Sequence, residues 1–314
     1  MIGKQSIESI VTVIILSSAT ILTQAQGRPQ ESTLQVAVDL VLLDVTVHDK
    51  TGKPITNLER EDFKVYEDKV EQSISFFSKE ESAVTWGLVL DRSGSMKGRI
   101  QEVYEAAVHM LDEGTTEDEM FIMTFGDEVN LVSKLTSDRR RLQESIFGLH
   151  VEGSTPLNDA VVSALDYIKQ GKHRKKVLVI ITDGSDNHSS TSFSRVLDRV
   201  RESDVLIYTV GMYDALEALQ TRKGSLDNKH NLEEIAEITG AYAYFPTNME
   251  KCRQTMSNIA REVSEHYTIG YYSSNQTRDG HWRKSRVVVT KPVQDKIRYI
   301  VRTRSGYYAP RTEK

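Results

Sequence analysis

Apolar runs alternate with segments of helical period from residue 85 to about residue 266, and this alternation restricts the fold more than any other feature of the sequence. The most apolar run after the N-terminal segment, 177–181, is typical of a strand buried on both faces of a parallel sheet. Segment 97–111 places apolar residues at helical spacing. We therefore predict an α/β fold, with a doubly wound, mostly parallel sheet covered by helices on both faces.

Sequence with a two-residue period flanks this region on both sides. Residues 34–47 alternate in polarity, but the phase of the alternation slips within 40–43, which predicts a bulge or bend there. The strands expected after residue 266 are too few to form a core of their own. We therefore expect them to complete an N-terminal β layer, so that a small sandwich-like all-β domain flanks the α/β domain or contains it as an insertion.

These patterns divide the chain into four predicted regions. They are a signal peptide at 1–25, an N-terminal β domain at 34–80, the α/β domain at 84–266, and C-terminal strands at 267–310 that complete the β domain.

The first 25 residues have the pattern of an export signal. Lys4 supplies the positive end, 10–16 form an apolar core, and Thr23-Gln24-Ala25 provides a cleavage site. The apolar run is short and interrupted for a membrane span, although an uncleaved anchor is the alternative. We expect an exported protein, periplasmic or extracellular, with no stable membrane span after signal cleavage.

Charge argues against nucleic acid as a partner. The formal net charge is −5, and the basic cluster 173–176 is short. A hydrophobic fraction of 39% with 27% charged residues is typical of a globular protein.

A strand expected at 86–90 ends in the motif Asp-x-Ser-x-Ser, which contains Asp91, Ser93 and Ser95. Ligands bind at the carboxyl ends of strands in open α/β sheets. One carboxylate and two hydroxyls are hard oxygen donors, which suit Mg²⁺ or Mn²⁺. The alternative is a polar turn in which Ser93 or Ser95 caps the following helix.

Two further loops carry oxygen donors at the same kind of position. Thr155 lies in Gly-Ser-Thr-Pro just before an expected helix, and Asp183 follows the most buried strand in Thr-Asp-Gly. Taken singly, Thr155 could be a capping residue and Asp183 a turn carboxylate that accepts backbone N–H bonds. Together with Asp-x-Ser-x-Ser, these segments resemble the von Willebrand factor A domain family, also called the integrin I-like fold, over about 85–266.

The resemblance implies a metal-ion-dependent adhesion site. By that resemblance Ser93 and Ser95 bind the ion through their hydroxyls, Thr155 binds it directly or through water, and Asp91 and Asp183 bind it or hold its waters. The expected ion is Mg²⁺, with Mn²⁺ or Ca²⁺ as substitutes. The expected partner is a protein or envelope polymer with an exposed carboxylate, which completes the coordination of the ion.

The flanks are similar to exported bacterial proteins described as von Willebrand factor A-related, abundant in acidobacteria. One departure is Lys69, where we expect Gly after Glu67-Asp68, and it leaves the hairpin turn type open.

Two other functions compete with adhesion. One is a Mg²⁺-dependent hydrolase or phosphoryl-transfer enzyme that uses the same aspartates, and the other is a metal that only stabilises the fold. The sequence has no Gly-x-Ser-x-Gly elbow, P-loop or His-Glu-x-x-His. His188 follows Asp183 closely, but a lone loop histidine is usually solvated. We therefore expect a binding module and no enzyme.

Overall fold

The computed structural model describes residues 39–50, 52–79, 82–148, 150–151, 153–212, 223–291 and 299–312. The predicted signal peptide, 1–25, and the alternation at 34–38 lie outside the described residues. None of the helices within these ranges is long and apolar enough to cross a membrane.

The strands, in chain order, are β1 (Leu40–His48), β2 (Phe63–Glu67), β3 (Val70–Gln72), β4 (Ile74–Ser78), β5 (Val84–Asp91), β6 (Glu119–Phe125), β7 (Val129–Thr136), β8 (Lys175–Thr182), β9 (Leu206–Gly211), β10 (Ala243–Tyr244), β11 (Tyr267–Tyr272), β12 (Trp282–Val289), β13 (Ile300–Arg302) and β14 (Gly306–Tyr308). The α-helices are α1 (Ile100–Glu113), α2 (Arg139–Ile146), α3 (Leu157–Tyr167), α4 (Phe193–Arg201), α5 (Lys223–Thr239) and α6 (Met249–Ser264).

The central sheet has six strands in the order β10-β9-β8-β5-β6-β7. Strand β7 runs antiparallel at one edge, and the other neighbouring pairs are parallel. Helices α1, α2 and α6 contribute buried side chains to the apolar core on one face, and α3, α4 and α5 to the core on the other. The prediction of a doubly wound, mostly parallel sheet is confirmed. The two innermost strands, β5 and β8, end at the sequence motifs predicted to bind metal.

The central strand β5 is buried along its whole length. At Gly87 an added Cβ would lie 2.4 Å from the side chains of both Leu178 and Phe121, so those large side chains fill the space beside the backbone. This close packing fixes β5 within the sheet, and with it the loop that follows Asp91.

Two antiparallel sheets flank the α/β region, with the orders β13-β1-β11-β4 and β14-β12-β2-β3. N-terminal and C-terminal strands pair directly, β1 with β11 and β2 with β12, around a shared apolar core. The fold class, an α/β sheet flanked by a small β domain, is confirmed. The domain boundaries stay predictions, since residues 38–314 form one compact unit.

The prediction of a bulge or bend at 40–43 is wrong. Pairing of β1 with β11 is unbroken from Leu40 to Val45, and the irregularity lies instead between Gly270 and Tyr271, where β11 meets β4. An added Cβ at Gly270 would lie 2.9 Å from Phe76 and 3.0 Å from the side chain of Leu42. Apolar residues on the outer face of β1 thus cover a glycine in β11, which explains the all-apolar run without a change of buried face.

The hairpin between β2 and β3 resolves the question raised by Lys69. Asp68 has φ of 46° and Lys69 has φ of 72°. Positive φ at both central residues is the type I′ turn, whose twist matches that of the paired strands. Lys69 therefore holds a left-handed conformation that glycine adopts more readily.

Candidate metal centre

Asp91 lies at the carboxyl end of β5 and is fully buried. Its Oδ1 accepts a hydrogen bond of 2.9 Å from the backbone N–H of Ser93, and its Oδ2 accepts one of 2.6 Å from the Thr182 hydroxyl. Burial raises the pKa of Asp91 to about 6, although these hydrogen bonds oppose the rise. The main charge interaction of this carboxyl group is with Asp183, whose negative charge raises the pKa further.

The two motif serines lie side by side in the next turn. Their Oγ atoms are 3.0 Å apart, with Ser93 buried and Ser95 exposed. Ser93 precedes a short 3₁₀ helix, Gly94–Gly98, but its side chain makes no capping hydrogen bond. Ser93 thus occupies the N-cap position that the alternative predicted, but its hydroxyl contacts Ser95 and caps no backbone N–H.

Thr155 is held beside both other loops through its backbone. Its N–H donates to Oδ1 of Asn187 at 2.8 Å, and its carbonyl accepts from the N–H of Asn187 at 3.1 Å. Two residues earlier, the Gly153 carbonyl accepts from the N–H of Gly94 at 3.0 Å. Thr155 is buried and its hydroxyl does not cap α3, whose N-cap residue is Pro156. The loops that carry the predicted donors are thus linked to one another.

Asp183 follows β8 and is half-buried. Its Oδ1 accepts from the N–H and the hydroxyl of Ser185, at 3.1 and 2.7 Å. The interpretation of Asp183 as a turn carboxylate therefore holds, and its charge also raises the pKa of Asp91. The structure thus places Ser93 in contact with both Asp91 and Ser95, and Asp183 within electrostatic range of Asp91. Thr155 bonds to the loop after β8 through Asn187, and the neighbouring Gly153 bonds to the loop after β5 through Gly94.

Other aspartates that sequence reasoning missed fix the loops. Oδ1 of Asp127 accepts from the N–H of Ser154 at 3.1 Å, and Oδ2 of Asp186 accepts from the N–H of Asn158 at 2.8 Å. Asp159 accepts backbone N–H bonds of 2.8 and 2.9 Å from Ser190 and Thr191. Their partners lie about thirty residues away, so no local sequence signal could identify these roles.

These side chains fit a hard divalent cation. Across the described ranges, no group of three or more His, Cys, Asp or Glu residues could hold a metal, so a site here depends on hydroxyls together with two carboxylates. Such all-oxygen donors suit Mg²⁺, and a buried carboxylate near a second one favours binding of a cation. Metal binding itself stays a prediction.

Comparisons with known proteins place this region in context. The profile of the von Willebrand factor type A domain matches residues 87–259. Human inter-alpha-trypsin inhibitor heavy chain H4 is 26% identical over 128 residues, which are 37% of this chain and 14% of that protein. An uncharacterized protein of Synechocystis sp. is 27% identical over 158 residues, 47% of this chain and 38% of its own length. The chain therefore spans a minor part of these relatives.

A solved structure shows the same fold over a longer stretch. The von Willebrand factor type A protein from Catenulispora acidiphila aligns with a TM-score of 0.51 at 12% identity, covering 81% of this chain and 74% of that one.

Proposed function

The chain belongs to the von Willebrand factor type A domain family, and on that premise we propose that it is an exported, metal-dependent module that binds a carboxylate of a partner protein or envelope polymer. The observation that carries the proposal is the environment of Asp91. A buried carboxylate is fixed by Ser93 and Thr182 where the loops of β5, α3 and β8 are linked. This is the arrangement that a divalent ion would complete.

The ion would be held, directly or through water, by the five predicted donors Asp91, Ser93, Ser95, Thr155 and Asp183. Bound there, a Mg²⁺ ion would supply a coordination position for an acidic group of the partner. The chain's own part is to orient the donors. Thr182 and the N–H of Ser93 fix the Asp91 carboxylate, and Asn187 fixes the backbone at Thr155. Two neutral serine hydroxyls leave the ion more positive than additional carboxylates would, which favours binding of an external carboxylate.

Support for the binding role comes from family membership, and support for export comes from the pattern of residues 1–25. The relative named as a heavy chain of a trypsin inhibitor is compatible with a role in protein association. We accordingly assign the aspartates to binding and not to catalysis.

The test is capture of envelope components on the immobilised protein in Mg²⁺ and in EDTA, with free glutamate as a competitor for carboxylate binding. We expect capture that requires Mg²⁺, is released by glutamate, and is lost in the double variant Ser93→Ala, Ser95→Ala. The matched control is Ser192→Ala, Ser194→Ala, because those two hydroxyls form the same Ser-x-Ser contact at 3.0 Å elsewhere in the chain.

Capture that persists unchanged in the folded Ser93/Ser95 variant would overturn the proposal. If that variant loses only the stabilisation by Mg²⁺, the metal serves the fold alone. Hydrolysis of an ester or phosphodiester that requires Asp183 would instead establish that the protein is an enzyme.

A further inference from the structure

A cleft with a volume of about 210 Å³ lies between the start of β1 and the connection from α4 to β9. Arg174, just before β8, and Leu206, the first residue of β9, both line it. These positions are the amino ends of parallel strands, whereas the predicted metal centre follows the carboxyl ends of β5 and β8. The cleft is therefore a separate site, at the opposite edge of the central sheet.

Much of the cleft lining is apolar and open to solvent. Leu40, Leu42 and Trp282 contribute from the β domain, and Leu206 and Ile238 contribute from the α/β region. Leu40 is exposed and the other four are partly exposed, so none of these side chains is sealed. A ligand that enters the cleft can therefore bury apolar surface against both parts of the fold.

The indole ring of Trp282 is a preformed wall of the cleft. A Cβ added at Gly306 would lie 2.6 Å from Cζ2 and 2.7 Å from Cε2 of Trp282, so the ring lies against the glycine backbone. The ring of Tyr308 packs edge-on to the indole, with the two ring centres 5.0 Å apart. Because the indole is already fixed, a ligand that packs against it loses little binding energy to the ordering of this side chain.

Positive charge exceeds negative charge in the cleft lining. Three guanidinium groups, those of Arg174, Arg201 and Arg304, line it with two carboxylates, those of Asp44 and Asp204. Nη2 of Arg174 donates a hydrogen bond of 3.2 Å to Oδ1 of Asp44. The chain as a whole has a net charge of −5, so this local excess of positive charge contrasts with the rest of the protein and favours an anion.

These arginines keep N–H donors that their ion pairs do not use. Nη1 of Arg304 donates to the exposed carboxylate of Asp204, and Nη1 of Arg201 lies 3.5 Å from Oδ1 of Asp198. A guanidinium has five N–H donors, and the side chains of Arg201 and Arg174 are 33% and 48% exposed, so an external acceptor can reach them. Exposed ion pairs of this kind stabilise little, so an anion can share these groups at small cost.

We propose that this cleft binds a small carboxylate with an apolar body. The carboxylate accepts hydrogen bonds from Arg201 and Arg304, and the apolar body packs against Trp282 and Leu40. The planar guanidinium fork matches the two oxygens of a carboxylate with parallel hydrogen bonds. The cleft is smaller than the pockets of about 300–1,000 Å³ that take drug-sized ligands, which favours a compact aryl or short alkyl carboxylate.

Calorimetric titration with phenylacetate and with hexanoate, in EDTA at pH 7, tests the proposal independently of the metal centre. We expect saturable binding of at least one of them. Tighter binding of phenylacetate supports an aryl ligand, and tighter binding of hexanoate supports an alkyl one. Phenylacetamide has the shape of phenylacetate without its charge and should bind at least about tenfold more weakly, because it makes no charge-assisted hydrogen bond to the arginines.

The variant Arg201→Gln should lower the affinity for the carboxylate by at least about fivefold, because it removes charge-assisted donors from the cleft. The matched control is Arg195→Gln, an exposed arginine at the other end of α4 that should leave affinity unchanged. Ser203→Phe keeps every arginine and adds bulk to a residue that lines the cleft, so it should block binding even if Arg201→Gln fails to fold.

Tryptophan fluorescence locates the ligand. The chain has two tryptophans, of which Trp86 is buried in β5 and Trp282 lines the cleft. Binding should change the fluorescence of the wild type and leave that of Trp282→Phe unchanged. Absence of heat with both carboxylates, equal affinity for phenylacetamide, unchanged affinity in folded Arg201→Gln or Ser203→Phe, or a fluorescence change that survives in Trp282→Phe would overturn the proposal.

Discussion

The hydroxyl of Thr182 donates a hydrogen bond of 2.6 Å to Oδ2 of Asp91, and this contact joins the carboxyl ends of the two innermost strands of the sheet. The same oxygen of Thr182 accepts the N–H of Gly184 at 3.0 Å. One threonine therefore positions both the buried aspartate and the turn that carries Asp183.

Replacing Thr182 with valine should destabilise the protein by about 1–3 kcal/mol, because the change leaves Oδ2 of Asp91 and the N–H of Gly184 without this partner. Affinity for Mg²⁺ should fall as well. Urea unfolding and a Mg²⁺ titration measure the two effects. Thr124→Val is the control on β6, since the Thr124 hydroxyl is buried without a partner in the described chain. Loss of the Thr124 hydroxyl should leave the free energy of unfolding unchanged or raise it. An equal decrease in the free energy of unfolding at both threonines would contradict the prediction.

Mg²⁺ should stabilise the folded chain. A free concentration one hundred times the Kd would raise the free energy of unfolding by about 2.7 kcal/mol, through preferential binding to the native state. Thermal unfolding in Mg²⁺ and in EDTA measures this difference. We expect it to vanish in Ser93→Ala, Ser95→Ala and to persist in Ser192→Ala, Ser194→Ala, although loss of the Ser192 cap costs the latter about 1 kcal/mol. A stabilisation that survives in the Ser93/Ser95 variant would place the ion elsewhere.

Stability should rise between pH 7 and pH 9 because of Lys175. This lysine is 2% exposed, and burial lowers its pKa to about 7. In that range the unfolded chain binds the proton and the folded chain releases it, so the free energy of unfolding increases with pH, by up to about 1.4 kcal/mol per unit. Below pH 7 both states are protonated and the cost of the buried charge is constant.

Urea unfolding across this range compares wild type with Lys175→Met. The rise should be absent in the variant and intact in Lys172→Met, a matched change at an exposed lysine. Parallel pH profiles for wild type and Lys175→Met would show that another group is responsible.

Lys69→Gly should stabilise the protein by about 1 kcal/mol, because a residue with a Cβ pays roughly that much in the left-handed conformation. Chemical unfolding detects the gain. Glu71→Gly in the adjacent strand β3 should instead destabilise, since glycine weakens strands. A loss of stability in Lys69→Gly would mean that the lysine side chain makes up for its strain.

Much of the candidate site could be predicted from the sequence, for a physical reason. The apolar runs before Asp91 and Asp183 are local signals of buried strands, and parallel strands present their carboxyl ends at one edge of the sheet. The role of Asn187 in linking the loops could not be predicted, because its partner Thr155 lies 32 residues away and the link depends on how the loops pack. The prediction of a bulge at 40–43 was wrong for the same reason. Leu42 covers Gly270, which is distant from it in sequence.

The sequence by itself determined the class of fold and the residues that end the central strands, because periodicity and strand-ending motifs are properties of neighbouring residues. Only the tertiary structure decided that Thr182 would fix Asp91 and that the Tyr244 hydroxyl would bind the buried Glu262. Those features arise where β5 meets β8 and where α6 meets β1 and β10, and the packing of segments far apart in the chain sets them.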